Sequence, residues 1–242
     1  MTARAEKKQW YMAVCPVAMA HDEAGISEKL QRAGLPSGEV ARIREISNAA
    51  VRAQSLAARY ALFGAFLLWM GGEGERPCYP EEWPKPDKAS KAWIRTVLGD
   101  WRVSPAGKPA CPAGGLNFSL THTEQVAVAV LSGVPGRPIG VDAETETRHV
   151  ADWERMANRF YSPEEREKCH STADFLAVWL RKEALGKARG TGLVGLLEPA
   201  AREPEAGEGQ QPVYAEGKLP DGTRYAVCFL GESSPAENGL PE

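Results

Sequence analysis

The chain has 242 residues, a net charge of −3, 43% hydrophobic and 25% charged residues, which is the profile of a soluble globular protein large enough for one big domain or two small ones. That balance gives no general reason to expect nucleic-acid or membrane binding, so any anion site must come from locally placed cations. The five cysteines, at 15, 78, 111, 169 and 228, show no C-x-x-C spacing, which argues against a disulfide framework or zinc site and for a reducing, cytoplasmic setting.

In chain order, the N-terminal apolar stretch is broken by Cys15 and Pro16 and does not read as a signal peptide. Residues 9–18 predict a first strand, with Pro16 near an edge or end. From Ser37-Gly38-Glu39 to Met70 the pattern predicts one long, mainly helical segment closed by Gly71-Gly72. Its most apolar part, 56–70, contains Arg59 and is too short to span a bilayer. Residues 73–115 are rich in proline, glycine and charge, and 88–98 reads either as a short helix or as an edge strand.

Two strand-like runs follow, 116–122 and 124–132, and a turn at 133–138 leads into a third, 139–144. The runs on either side of that turn are expected to pair as antiparallel neighbours. Ser162-Pro163-Glu164-Glu165 carries an N-cap serine, a proline at the first helical position and a glutamate at the third, a helix start. Residues 174–190 form a well-patterned helix ended by Gly190. The stretch 198–212 is expected to be a mobile loop, 223–230 a last strand, and 231–242 a disordered tail. Each half thus holds strand material and one dominant helix, which predicts an α+β protein of two similar lobes, 1–134 and 135–242.

The third run ends in Asp142-Ala143-Glu144. On a strand the two carboxylates share a face, roughly 7 Å apart, where they repel. Composition alone yields about four acid-x-acid pairs by chance, so two readings stand: a strand leaving the core into solvent, or a site for a hard cation such as Mg²⁺. On the 174–190 helix, Trp179, Glu183 and Lys187 lie at i, i+4 and i+8, along one side. They read either as a core tryptophan with a surface ion pair, or as metal and phosphate ligands. His122 sits between two threonines; Gly107-Lys108-Pro109 is at face value a turn with an exposed lysine.

Taken in order, Gly107-Lys108-Pro109, the run 117–123 (Asn-Phe-Ser-Leu-Thr-His-Thr), 140–144 (Gly-Val-Asp-Ala-Glu), 160–165 (Phe-Tyr-Ser-Pro-Glu-Glu) and 179–190 (Trp-Leu-Arg-Lys-Glu-Ala-Leu-Gly-Lys-Ala-Arg-Gly) resemble the 4′-phosphopantetheinyl transferases, specifically the monomeric surfactin-type branch. The resemblance runs from about 105 to 193, with a looser likeness over the N-terminal helix. It implies a pseudo-dimer with its site in the cleft between two lobes. The implied reaction is Mg²⁺-dependent transfer of phosphopantetheine from coenzyme A to a serine of an apo acyl or peptidyl carrier protein, releasing adenosine 3′,5′-bisphosphate. By motif position it implies Asp142, Glu144 and Glu183 as metal ligands. It likewise implies Lys187, Lys182, His122, Thr121 and Lys108 as coenzyme A contacts. Glu183 is the favoured general base, with a metal-bound water as the other route. Among Arg42, Arg44, Arg52 and Arg59, Arg52 is preferred for the 3′-phosphate.

Two departures stand out: Thr121-His122-Thr123 replaces the usual Ser-His-Ser, and Leu180 stands where the family commonly has serine or threonine. Neither removes a metal ligand. A non-catalytic scaffold that binds coenzyme A or docks a carrier, and an unrelated Mg²⁺ phosphohydrolase, are the competing readings. The pathway served (fatty-acid, polyketide, siderophore or other peptide synthesis) is left open.

Overall fold

The structure is a computed structural model and describes residues 8–104, 107–192 and 211–231. The elements in order are β1 (Trp10–Pro16), α1 (Glu23–Arg32), α2 (Ser37–Arg44), α3 (Ala49–Gly71), β2 (Pro77–Cys78), α4 (Lys88–Gly99), β3 (Arg102–Val103) and β4 (Pro109–Ala110). Then come β5 (Phe118–His122), β6 (Val126–Ser132), β7 (Ile139–Thr145), α5 (Trp153–Phe160), α6 (Pro163–Glu167), α7 (Thr172–Arg189), β8 (Pro212–Lys218) and β9 (Thr223–Leu230). This is a mixed α+β fold.

The strands form a first sheet in the order β2-β1-β6-β5, a second in the order β7-β9-β8, and a small β3-β4 ribbon. The two larger sheets stack face to face. Alternation decides which side chains meet: Trp10, Met12, Val14, Val126, Val128 and Val130 from the first sheet pack against Ile139, Val141, Ala143, Tyr225, Val227 and Phe229 from the second. The opposite parity of each sheet faces a helical layer. Tyr11, Ala13, Ala127, Ala129 and Leu131 pack on α3 and its neighbours, while Ala226, Cys228 and Leu230 pack on Leu180, Ala184, Leu185 and Ala188 of α7. The layers therefore run helix, sheet, sheet, helix. Leaving aside the two-residue β2, in both sheets a strand is followed by a long helix and then by two strands of the sheet, and the first strand pairs with the last (β1 with β6, β7 with β9).

Several expectations change. The runs 124–132 and 139–144 do not pair. Both edges of β6 are taken, by β1 and β5, and β7 pairs antiparallel with β9 instead. The long helix expected from Ser37 is two helices. The Asn48 side chain accepts hydrogen bonds from Ala50 N–H and Val51 N–H and caps α3 anew, while Arg52 donates to the Ile46 and Ser47 carbonyls and fixes the break. The segment 88–98 is helical, capped by Asp87 through Ser90 N–H. The Ser162 start has its full capping box, but α6 is short, and α7 begins afresh on Ser171. Helices α1 and α5 and strand β8 carry no expectation from the sequence pattern. Pro212 opens β8; the rest of the expected mobile loop, and the tail beyond 231, lie mostly outside the described residues.

Among the described residues no helix is long and apolar enough to cross a membrane. All five cysteines are free and buried; burial raises every thiol, those of Cys15, Cys111 and Cys228 to about 12.

Glu39 on α2 is buried, with its side chain 4% exposed; it accepts from Arg42 of its own helix (2.8 Å) and ties α2 to α3 through Arg59 (2.7 Å). Burial by itself pushes the Glu39 carboxyl up, but the two guanidinium groups outweigh it and hold it below the usual glutamate range. Its contribution to stability is present above that range and is lost as the pH falls through the depressed value. Glu39→Gln strands the Arg59 charge and should cost about 3 kcal/mol, with the acid-side fall in stability between wild type and variant largely removed; urea unfolding at pH 7 and pH 3.5 measures both.

Gly140 lets α7 lie directly on β7. A Cβ there would sit 2.0 Å from the Ala184 carbonyl oxygen and 2.5 Å from the Ala188 nitrogen, both backbone atoms that cannot rotate away. Gly140→Ala should therefore cost at least about 2 kcal/mol and push α7 off the sheet, read as a lower denaturation midpoint.

Candidate active site

The site lies where β5, the edge of the first sheet, meets β7, the edge of the second. The Val141 N–H donates to Ser119 Oγ across that seam (3.1 Å), and the next residue brings Asp142 up to Thr121, whose hydroxyl donates to Asp142 Oδ1 (3.0 Å). The same oxygen receives Lys187 Nζ of α7 at 2.7 Å. Asp142 is 6% exposed, so this is a buried carboxylate held by one neutral and one charged donor.

Asp142 and Glu144 share a face of β7, with Gly140 ahead of them, and α7 covers it. Lys187 follows Glu183 by one turn, so both reach the same strip of strand. Trp179, a turn earlier, packs with Phe160 and Phe175 in a separate aromatic cluster under α5. Glu144 pairs with Arg148 four residues on. Glu183 is half-buried, and its carboxyl is raised above the usual range by burial and then by the Asp142 charge, with Lys187 and Arg148 pulling the other way. Three acids and two cations are thus interleaved.

His122, at the end of β5, is exposed to solvent, yet the protein crowds it enough that desolvation is the first cause of its lowered pKa; the charges of Lys187 and Arg59 add to this and that of Asp142 opposes it. It is therefore a neutral imidazole at pH 7. Lys108 Nζ reaches the Lys187 carbonyl at 2.6 Å. Beside it is a cleft of about 210 Å³ between the Gly107–Pro109 turn, β5 from Phe118 to Leu120, and the end of α7 at Gly186, Lys187 and Gly190. A second hollow, about 310 Å³, adjoins it through Lys108, Phe118 and Gly190.

The structure thus brings Thr121, His122, Asp142, Glu183, Lys187 and Lys108 to one region. Two expected residues point elsewhere. Lys182 pairs with Glu165 of α6 at 2.9 Å and lies over the Tyr161 ring. Arg52 pairs with Glu23 at 3.0 Å. The arginine whose charge reaches His122 is Arg59, which stacks 5.6 Å over Trp101. Its signal in the sequence was a cation inside the apolar run 56–70. Arg148 and Ser119 were not singled out; the four-residue spacing from Glu144 was the available cue for Arg148.

All-carboxylate donors suit a hard divalent ion, and the raised Glu183 carboxyl beside Asp142 is the electrostatic signature of a site that a cation would relieve. The donor set fits Mg²⁺ in kind. Among the described residues, however, no group of three or more acids, histidines or cysteines is gathered closely enough to hold a metal; Lys187 engages Asp142 and Arg148 engages Glu144.

Lys187 lowers both the His122 and the Glu183 titrations, so Lys187→Met should raise both, and Asp142→Asn should lower that of Glu183; NMR pH titration of the imidazole and carboxyl carbons checks the signs.

No curated protein matches the chain. Residues 138–229, which contain β7, α5, α6, α7, β8 and most of β9, match the family model described as the 4′-phosphopantetheinyl transferase superfamily.

Proposed function

We propose that the protein transfers the 4′-phosphopantetheine group of coenzyme A to a serine hydroxyl of an apo acyl or peptidyl carrier protein, as a monomer in the cytoplasm. The observation that carries this reading is the Asp142–Lys187 contact beside a half-buried Glu183, inside the segment matched by the transferase family and at the wall of a cleft. We also propose that residues 1–134 and 135–242 are the two lobes of a pseudo-dimer, of the surfactin-type branch; the repeated strand order and intervening helix support it.

In this reading the serine oxygen attacks the phosphorus that bears the pantetheine arm. A new P–O bond forms, the bond to the bridging pyrophosphate oxygen breaks, and its electron pair leaves with adenosine 3′,5′-bisphosphate. Glu183 takes the serine proton. Lys187 supplies positive charge to the pyrophosphate, and neutral His122 donates a hydrogen bond to a phosphate oxygen. Thr121 holds Asp142 in place. Asp142, Glu144 and Glu183 would be the residues to hold Mg²⁺, which when bound would supply positive charge near the leaving group. Lys108 lies at the nucleotide end of the cleft; Arg52 and Arg59 are each engaged by an acid, Glu23 and Glu39, so neither is assigned to the 3′-phosphate.

A second reading, a non-catalytic scaffold that binds coenzyme A or docks a carrier, draws on the ion pairs already made by Asp142 and Glu144 and on the three acids not being gathered. Incubation with coenzyme A, Mg²⁺ and several apo carrier proteins separates the two. Transfer adds one phosphopantetheine mass to the carrier, whereas tight binding with no adduct on any carrier overturns the enzyme reading. Asp142→Ala and Glu183→Ala should abolish transfer in a folded protein, and Lys187→Ala should lower kcat about 100-fold.

A further inference from the structure

Lys108 stands in the cleft, but its ammonium is already engaged. Nζ donates to the Lys187 carbonyl at 2.6 Å and approaches the Ala188 carbonyl at 3.4 Å. These belong to the last turn of α7, where carbonyls lack partners within the helix and the helix dipole is negative, so a cation there is favourable. The carbonyl of Gly186, one residue earlier, is satisfied differently: it accepts from Gly190, whose φ of 75° closes the helix, and from Thr191 and Gly192. The lysine stem runs past Gly190, its Cδ 3.8 Å from where a Cβ would be, ordinary contact distance.

The approach of Lys108 is built into its turn. Its N–H donates to Ser104 Oγ (3.0 Å) and its carbonyl accepts from Ser104 N–H (2.9 Å), so its backbone is fixed on both sides. The stem is half-buried, and desolvation lowers the ammonium pKa. Lys108 lines both hollows, and it joins a turn of the N-terminal half to the helix that carries Lys187. That helix end is otherwise attached to the second sheet.

We propose that Lys108 is a positioning residue: its ammonium caps the C-terminal carbonyls of α7, latches the Gly107–Pro109 turn across the cleft, and thereby fixes the backbone from which Lys187 reaches Asp142. The lysine acts through Lys187 and is not itself a phosphate ligand. The kinetic consequence rests on the transferase reading; the latch does not.

The test uses the full chain with Lys108→Met, which keeps the stem and removes the donor, and Lys108→Arg, which keeps a donor. For Lys108→Met, amide hydrogens across 186–192 should exchange about tenfold faster. The coenzyme A Kd, by calorimetry, should stay within about threefold, while kcat for carrier modification falls about tenfold at little-changed KM for coenzyme A. Lys108→Arg should restore slow exchange and most of kcat. A tenfold weaker coenzyme A Kd with unchanged exchange would overturn the proposal and make Lys108 a direct ligand; unchanged exchange and unchanged kcat would overturn it as well. If wild type modifies no carrier, the transferase reading fails, and the exchange comparison alone decides the latch. Should Lys108→Met not fold, Lys108→Gln, with a shorter side chain, carries the same comparison.

Discussion

Two free sheet edges meet at the seam between β5 and β7, and the rest of the site follows from how that seam is closed. An edge strand presents unpaired backbone groups that must find partners. Here a side chain supplies one: Ser119 accepts the Val141 N–H in place of a neighbouring strand. Once β7 is anchored this way, its next residue, Asp142, is held against Thr121 on one side and Lys187 on the other. The carboxylate is thereby buried with both a neutral and a charged hydrogen-bond donor, which offsets the cost of taking it out of water.

The cover over that seam depends on how closely α7 can approach. The helix lies on the face of β7 that carries Gly140, Asp142 and Glu144, and the missing side chain at Gly140 sets the spacing. With that spacing, Glu183 comes within the field of Asp142, and Lys187 reaches its carboxylate. Glu183 and Lys187 thus bring charge to the strand, while Trp179, one turn earlier on the same side, belongs to the aromatic layer under α5. One helix performs both tasks because successive turns along that side lie against different neighbours, the aromatic layer first and β7 after it.

Much of this was legible in the residues, for reasons that differ by element. Gly190 and the Ser162 capping box mark helix ends through local backbone chemistry, and the structure has both. Asn48 is the same kind of signal, but it sits inside a continuous apolar pattern, so the break between α2 and α3 was hidden by periodicity. Strand pairing is not local: alternation located β6 and β7, yet nothing in either run states that β1 already occupies the edge β7 would need. The site divides similarly. The i, i+4 spacing of Glu183 and Lys187 carried over directly, whereas Lys182, adjacent in sequence, turns to α6 because a helix sends neighbouring residues to different faces. The partner choice of Arg52 and the reach of Arg59 to His122 depend on the packing of α1 and α2, which local sequence does not encode.

The five cysteines have a practical corollary. Each thiol is enclosed and held in its protonated form near neutral pH, and it is the thiolate that attacks electrophiles. The folded protein is therefore close to a blank background for maleimide chemistry. One cysteine introduced on the surface, for example at Val134 or Val213, both exposed, would take a fluorophore or spin label selectively, without first removing any of the native five.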